Sequence, residues 1–182
     1  MFSQRQSAHS SQPYAIPADF CRIFENDMNR LYLLSYLLTA DQRMAEECFV
    51  RGLEDSTRSN RIFREWAGSW ARRMIIQNAV QMVRPRPSHG TGSAPSHENS
   101  GKAESVATVV GLAAFERIVF VMTVLERYSH QEAALLLGCS REDVVTARTS
   151  ALQHIGDAAQ SAQASQRIAR SKSVGLHLAV SA

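Results

Sequence analysis

One stretch of the chain constrains its possible folds more than any other. Residues 85–101 read PRPSHGTGSAPSHENSG and contain no aliphatic side chain larger than that of alanine. A segment this rich in Pro, Gly, Ser and His indicates a flexible linker, because it has almost nothing to bury in a core. The segments on either side, residues 1–84 and 102–182, must therefore each bury a core of their own.

The segment before the linker carries apolar residues at helical spacing. The pattern predicts a first helix over residues 18–38 and a third helix over residues 61–83, which Pro85 ends. Between them, Thr39 or Asp41 can cap a second helix that fades near residues 55–59. The sequence therefore predicts a three-helix domain.

The segment after the linker contains two short helices whose N-caps can be read from the sequence. Ser129 with Glu132 matches a capping box, and Ser140 with Asp143 matches a weaker one. Gly138 between them supplies a left-handed helix stop. Two capped helices separated by a three-residue turn are typical of a helix-turn-helix.

The apolar residues around this motif predict how it packs. Leu137 and Val144 are expected to lie between its two helices, while Leu152 and Ile155 fasten the second helix to the rest of the core. Two further helices are predicted before the motif, at residues 104–110 and 112–127, and the second of them carries too many apolar residues for a surface helix.

These patterns predict an all-α chain of two small helical domains joined by a flexible linker. The expected parts are a three-helix N-terminal domain at 18–84, the linker at 85–103, a helix-turn-helix C-terminal domain at 104–157, and a polar tail at 158–182 that is partly helical and then disordered.

Composition argues against several classes of protein. The formal net charge is a modest +3, and the three cysteines, Cys21, Cys48 and Cys139, are odd in number and widely spaced, which suits buried thiols in a reducing cytosol. No apolar run approaches the roughly 20 residues of a membrane span, so a cytoplasmic protein with no membrane partner is expected.

An enzyme is not expected either. The sequence contains no phosphate-binding loop, nucleophile motif or metal-ligand spacing, so no catalytic residue, metal or cofactor is assigned. His89 and His97 fall in the linker and His130 falls in the helix-turn-helix, which makes none of them a convincing general base. The acidic residues Glu46 and Glu47 lie on a polar helix face, where a solvated surface or a protein contact is expected.

A helix-turn-helix predicts a surface for DNA as well as a fold. In DNA-binding versions the start of the second helix enters the major groove. That geometry would present Arg141, Glu142, Val145, Thr146 and Thr149 to DNA. The same motif also occurs in proteins that do not bind DNA, where its role is purely structural. The spacing alone therefore leaves open whether this motif binds DNA or only stabilises the fold.

The C-terminal segment resembles a known family. The stretch LAAFERIVFVMTVLERYSHQEAALLLGCSREDVV, residues 112–145, is similar to the minus-35 promoter-binding domain of the extracytoplasmic-function (ECF) sigma factors of bacterial RNA polymerase. The usual proline of the family is replaced by Ala113. The matching residues are Leu112, Arg117, Glu132, Ala134, Leu137, Gly138 and Val144.

The N-terminal segment resembles the same family. LYLLSYLLTADQRMAEECFVRGL, residues 31–53, is similar to the helix pair that binds the polymerase coiled coil, and WARRMIIQNAVQMVR, residues 70–84, resembles the minus-10 recognition and melting segment. Val50 and Arg51 stand where the family usually has Gln-Glu. The matches are Ala45, Glu46 and Glu47 in the first stretch and Trp70, Met74 and Arg84 in the second, with Gln77 beside Asn78 at the family asparagine.

The resemblance implies a sigma-factor-like transcription initiation protein. Its implied partners are RNA polymerase core, promoter DNA, and an anti-sigma or other regulatory protein. The implied DNA-binding residues are Arg72, Arg73, Gln77, Arg84, Arg141, Glu142, Val145, Thr146, Arg148 and Thr149. The implied polymerase-binding residues are Ala45, Glu46, Glu47, Val50 and Arg51.

The tryptophans have two interpretations. Trp66 and Trp70 lie four residues apart on one predicted helix, where core packing is the commoner role. The alternative is that they stack on unpaired bases.

Charge leaves a second function open. Val145, Ala147 and Ser150 stand where the family commonly has Lys, Arg and Arg, and residues 112–156 carry 4 basic and 5 acidic side chains. Each neutralised phosphate contributes about 0.9 to the salt slope of DNA binding, so the loss of three cations predicts weak binding. The alternative is a degenerate sigma-like protein that binds another protein through the apolar groove of its C-terminal domain, without promoter recognition.

Overall fold

The computed structural model describes residues 13–59, 61–87 and 102–178, and within the last range it describes the side chains of residues 105–164. Apart from one isolated bridge, the regular elements in these ranges are all helical. The prediction of an all-α fold is confirmed. The chain divides into two compact units between Arg84 and Pro85. Most of the predicted linker, residues 88–101, lies outside the described residues.

The described residues of the first unit, 13–59 and 61–84, form four α-helices where three were predicted. The first helix expected over residues 18–38 is interrupted at Asp27, which ends one helix and begins the next with φ −104° and ψ 19°. Asn26 and Asp27 are both poor helix formers, which favours a break here. The helices are α1 (Pro17–Asn26), α2 (Met28–Thr39), α3 (Gln42–Arg58) and α4 (Ala67–Val83).

The start of α3 is fixed by a side-chain cap. Of the two candidates, Asp41 is the cap, because its Oδ1 accepts a hydrogen bond from the Met44 N–H at 2.8 Å. Thr39 is buried and its hydroxyl donates instead to the Ser35 carbonyl at 2.9 Å. α3 ends at Arg58, inside the range where the sequence predicted that it would fade.

α4 begins later than residue 61, where the sequence placed its start. Phe63 is extended and forms an antiparallel bridge with Tyr14. On either side of it, the Ala15 N–H donates to the Ile62 carbonyl at 2.7 Å, and the Arg64 N–H donates to the Pro13 carbonyl at 2.9 Å. Backbone groups used in this pairing are not available to a helix. A 3-10 turn, Arg64–Trp66, then leads into α4.

The core of the first unit is built where α3 crosses α4. The buried Cys48 thiol donates to the Ile75 carbonyl at 3.3 Å. Asn78, which is also buried, donates from Nδ2 to Asp55 Oδ2 at 2.8 Å and to the Met74 carbonyl at 3.0 Å. These bonds hold the two helices in register, and Asn78 is therefore occupied within the fold.

The second unit contains the remaining helices. The helix predicted over residues 112–127 is shorter and changes form: an α-helix is followed by one π-helical segment. The elements are α5 (Lys102–Val110), α6 (Ala114–Phe120), the π-helix (Val121–Leu125), α7 (His130–Leu137) and α8 (Arg141–Leu178).

α8 is longer than the sequence suggested. It continues to Leu178, whereas the tail from residue 158 was expected to be partly helical and then disordered. Ala and Gln are frequent in this tail, both are good helix formers, and no proline interrupts it. The expectation of a disordered end is wrong within the range that the structure describes.

Arg117, one of the residues that match the family pattern, is a structural residue. Its side chain is buried, and Nη1 donates to the Leu112 carbonyl at 3.0 Å and to the Val110 carbonyl at 3.4 Å. Burial lowers the pKa of this guanidinium. Arg117 therefore satisfies carbonyls at the corner between α5 and α6.

Candidate functional site

Both predicted capping boxes of the helix-turn-helix are present. The Ser129 hydroxyl accepts from the Glu132 N–H at 3.2 Å, and Glu132 accepts from the Ser129 N–H at 2.9 Å. Ser140 and Asp143 make the same reciprocal pair, each bond at 3.0 Å. Gly138 between the two helices has a φ of 64°, the left-handed conformation that the turn requires.

The start of α8 has a buried face and an exposed face. Val144 is completely buried. The five residues that a DNA-binding helix-turn-helix would direct at the major groove are exposed: Arg141, Glu142, Val145, Thr146 and Thr149. Leu152 is also 42% exposed, so the expectation that it fastens α8 to the core is wrong. This first stretch of α8 therefore presents a mixed polar and apolar surface to solvent.

Arg148 does not belong to that exposed face. It follows Val144 by one helical turn, its side chain is half-buried, and its Nε is buried with no hydrogen-bond partner in the described part of the chain. A residue one turn from a buried valine points largely inward. Arg148 is therefore a half-buried residue of α8 that lies apart from the line of exposed residues, and its predicted contact with DNA stays a prediction.

Two of the three positions at which the resemblance would place a cation also point inward. Ala147 is buried, and the Ser150 hydroxyl donates to Glu116 Oε1 on α6 at 2.7 Å. The other carboxylate oxygen of Glu116 lies 3.4 Å from His154 Nδ1. Of the three positions, only Val145 is exposed. The absence of a cation therefore weakens DNA binding by this face at one position instead of three.

In the first unit, the candidate DNA-binding residues on α4 lie on two different sides of the helix. Gln77 follows Arg73 by four residues, so these two half-buried side chains share one side of the helix. Arg84 is exposed and caps the end of α4 in a left-handed conformation with φ 49°. Trp66, seven residues before Arg73, lies at the start of the same line. Arg72 is exposed but is rotated by about 100° from Arg73.

An exposed aromatic surface, which sequence spacing did not reveal, lies at the start of this line. It consists of Tyr14, Phe63 and Trp66, which are 42%, 38% and 58% exposed. The ring centroids of Tyr14 and Phe63 are 5.0 Å apart, and those of Phe63 and Trp66 are 5.2 Å apart at an interplanar angle of 77°. Aromatic rings this close support one another, and a large part of each ring stays open to solvent.

The two tryptophans have different environments. Trp70 is half-buried, and its indole N–H donates to the Ser59 hydroxyl at 2.8 Å. Trp66 is exposed, so the expectation that it packs in the core is wrong. Its ring is held by Phe63, whose position depends on the pairing with residues 13–16, and that long-range contact has no signature in the local sequence.

The candidate polymerase surface lies on α3. Glu46, Glu47, Val50 and Arg51 are exposed, and Val50 is 52% exposed. Glu47 and Arg51 form an ion pair one turn apart, so part of the charge on this face is neutralised locally. Ala45 is completely buried and offers no surface to a partner, which corrects its assignment to the polymerase contact.

The cysteines differ in environment. Cys48 is buried, and loss of hydration raises the pKa of its thiol to about 11. Cys139 is half-buried, and burial together with the nearby Asp143 carboxylate raises the pKa of its thiol. Cys21 is exposed, so the expectation that all three are buried is wrong. Within the described ranges, no three His, Cys, Asp or Glu side chains converge as a metal site would require.

No protein-family model matches the chain, and no curated protein matches it either. None of the helices in the described ranges combines the length and the apolar character needed to cross a membrane.

Proposed function

We propose that this chain is a sigma-factor-like transcription initiation protein of the bacterial cytoplasm, of the ECF type. In this proposal the first unit binds RNA polymerase core and the minus-10 element, and the second unit binds the minus-35 element. The observation that carries the proposal is the line along α4, in which exposed Trp66 at the N-cap is followed by half-buried Arg73 and Gln77 and by exposed Arg84 at the C-cap.

The chemistry of that line suits a melted promoter element. Unpaired bases expose their faces, and stacking on an aromatic side chain is worth roughly 1–3 kcal/mol per base. The aromatic surface supplies such faces, while Arg73 and Arg84 can neutralise phosphates of the same strand. Between Trp66 and Arg84, α4 is about 25 Å long, enough to contact several nucleotides.

The second unit supports the proposal through its exposed recognition face. Arg141 can bind a phosphate, and Thr146 and Thr149 can approach phosphates or base edges. One outward cation releases few counterions, so the unit by itself would bind DNA weakly. Attachment to polymerase would raise the effective concentration of promoter DNA at this surface and offset that weakness.

The α3 surface is the proposed contact with polymerase core. Val50 provides an exposed apolar centre, and Glu46, Glu47 and Arg51 surround it. An apolar centre with a charged rim is the usual anatomy of a protein interface. The substitution of the family Gln-Glu by Val50 and Arg51 makes this contact less acidic, and the partner surface on this polymerase is expected to differ accordingly.

The test is transcription with reconstituted polymerase core. Fragmented genomic DNA of the source organism would serve as template, and the 5′ ends of transcripts would be mapped by sequencing. We expect the natural chain to bind core and to produce defined start sites. A Trp66→Ala, Arg73→Ala and Arg84→Ala variant should retain core binding and lose those starts. If the natural chain does not bind core, the proposed function is wrong.

A second candidate function is favoured by a different observation. Leu135 on α7 is 73% exposed, and Val145 and Leu152 on α8 are each 42% exposed. Exposed apolar side chains on two packed helices can form a protein interface when they are contiguous. The alternative is therefore a degenerate sigma-like protein that binds a regulatory protein through its second unit. A stable protein complex without affinity for DNA, alone or with core, would support it.

A further inference from the structure

The aromatic surface is assembled from two parts of the chain that are distant in sequence. Tyr14 precedes α1, whereas Phe63 and Trp66 precede α4. Two backbone hydrogen bonds, from Ala15 to Ile62 and from Arg64 to Pro13, join these parts in an antiparallel bridge. The orientation of the exposed rings therefore depends on how firmly the two segments are held together.

One carboxylate fastens both segments. Asp19 lies in the first turn of α1, and its side chain is 13% exposed. Its Oδ2 accepts the Ile16 N–H at 3.0 Å and Arg64 Nε at 3.2 Å. The first bond satisfies the backbone N–H of Ile16, the N-cap residue at which the extended segment ends and α1 begins. The second bond reaches across to Arg64, which follows Phe63 at the start of the 3-10 turn before α4.

The electrostatics agree with this geometry. The pKa of the Asp19 carboxyl is lowered, first by the Ile16 N–H and then by Arg64 and Arg22. The contact with Arg22 is long, at 4.0 Å, and Arg22 is largely exposed. The Arg64 contact is the shorter of the two ion pairs and the one that connects the two segments.

We propose that Asp19 is a positioning residue for the capture of unpaired bases: through Arg64 it holds the paired segments 13–16 and 62–64 in the geometry that presents Tyr14, Phe63 and Trp66 as one stacking surface. This proposal rests on the proposed function and adds to it a residue that touches no nucleotide. It also makes residues 13–16 part of the site.

The test measures single-strand binding by the full chain. The probe is an oligothymidylate of about 12 nucleotides, within the usual range of single-strand sites. Quenching of tryptophan fluorescence reports stacking, and a Trp66→Phe variant identifies the part of the signal that comes from Trp66. The variants are Asp19→Asn, which removes the charge, and Asp19→Glu, which restores it. The matched control is Arg22→Gln, which removes only the long ion pair.

We expect Asp19→Asn to weaken binding about tenfold and to lower the quenching at saturation, with helix content by circular dichroism unchanged. Asp19→Glu should recover part of the affinity, and Arg22→Gln should bind like the natural chain. If Asp19→Asn loses helix content, Arg64→Gln breaks the same ion pair from an exposed side chain and is expected to give the same tenfold loss.

Two results would overturn the proposal in distinguishable ways. If both Asp19→Asn and Arg64→Gln bind the strand as tightly as the natural chain, Asp19 has no positioning role, although the proposed function stands. If the natural chain shows no quenching by the strand yet initiates transcription with polymerase core, the aromatic surface is not a stacking site. If it fails to bind core as well, the proposed function fails too.

Discussion

Gly52 on α3 lies so close to Ile75 on α4 that a β-carbon at residue 52 would be only 2.7 Å from Ile75 Cγ1. Ile75 is completely buried, so its side chain has little room to move. Adding a methyl group to a packed core costs about 1–3 kcal/mol, which outweighs the gain of roughly 0.5–1 kcal/mol from replacing a helical glycine. We expect Gly52→Ala to destabilise the first unit by about 1–2 kcal/mol in denaturant unfolding.

Gly156→Ala is the matched control for this prediction. A β-carbon at residue 156 in α8 would meet nothing within 4 Å. The helix-propensity gain is then unopposed, and we expect a stabilisation of roughly 0.5–1 kcal/mol. Equal effects of the two substitutions would contradict the close approach of α3 to α4.

The two faces of α8 predict opposite responses to a new charge. Val144 is completely buried, and an unpaired carboxylate there costs several kcal/mol, so Val144→Asp should unfold the second unit. Thr149 is exposed, and Thr149→Asp should change stability by less than about 0.5 kcal/mol. Hydrogen exchange of the full chain would locate the loss of protection to residues 105–164. Equal protection in both variants would mean that the faces are assigned wrongly.

Neighbouring arginines on α4 are predicted to differ in function. Arg73 lies on the line with Trp66 and Gln77, and Arg72 is rotated by about 100° away from it. In transcription with reconstituted core we expect Arg73→Ala to reduce initiation about tenfold, the effect of losing roughly 1.4 kcal/mol of binding. Arg72→Ala should stay within about twofold of the natural chain. A larger effect at Arg72 would place the DNA strand on a different side of the helix.

The free energy of unfolding of the first unit is predicted to depend on pH through the Asp19 carboxylate. Its pKa is lowered in the folded chain from the ordinary 3.8, so the charged carboxylate stabilises the fold. That stabilisation is complete well above pH 3.8 and is lost as the pH falls through the folded-state value. The difference in free energy of unfolding between the natural chain and Asp19→Asn should therefore be present at pH 7 and shrink below pH 3.8. A constant difference over this range would exclude the ionic contribution.

Thiol chemistry offers an independent check of burial. Because thiolate is the reactive form, the raised pKa of about 11 and the burial of Cys48 predict that it reacts only after unfolding. Exposed Cys21 should be alkylated first at pH 8, and half-buried Cys139 more slowly. Mass spectrometry after timed alkylation would give the order. Early modification of Cys48 would show that α3 and α4 separate readily.

The extent to which sequence predicts this fold depends on how local each signal is. The two capping boxes and Gly138 are local, and the boundaries of the helix-turn-helix follow from them. The break at Asp27 is also local but weak, because it competes with an otherwise continuous apolar pattern. The π-helical segment after α6 has no recognisable signal in the sequence.

The candidate site was predicted less completely, because its geometry depends on tertiary contacts. The line of Arg73 and Gln77 follows from helical spacing. The aromatic surface does not, since Tyr14 meets Phe63 only through pairing between distant segments. Likewise, matching residues to a family pattern could not reveal that Ala45 and Ala147 are buried, because burial depends on which neighbouring helix covers each position.

The continuity of α8 gives the second unit a mechanical property. The same helix contains the exposed recognition residues at its start and ends at Leu178, and its 38 residues span about 57 Å. A helix of this length acts as a lever arm: a tilt of about 5° moves one end by about 5 Å relative to the other. Because Val144, Ala147 and Ala151 anchor the start of α8 in the core, such a tilt would displace the far end of the helix while Arg141 and Thr146 stay with the core.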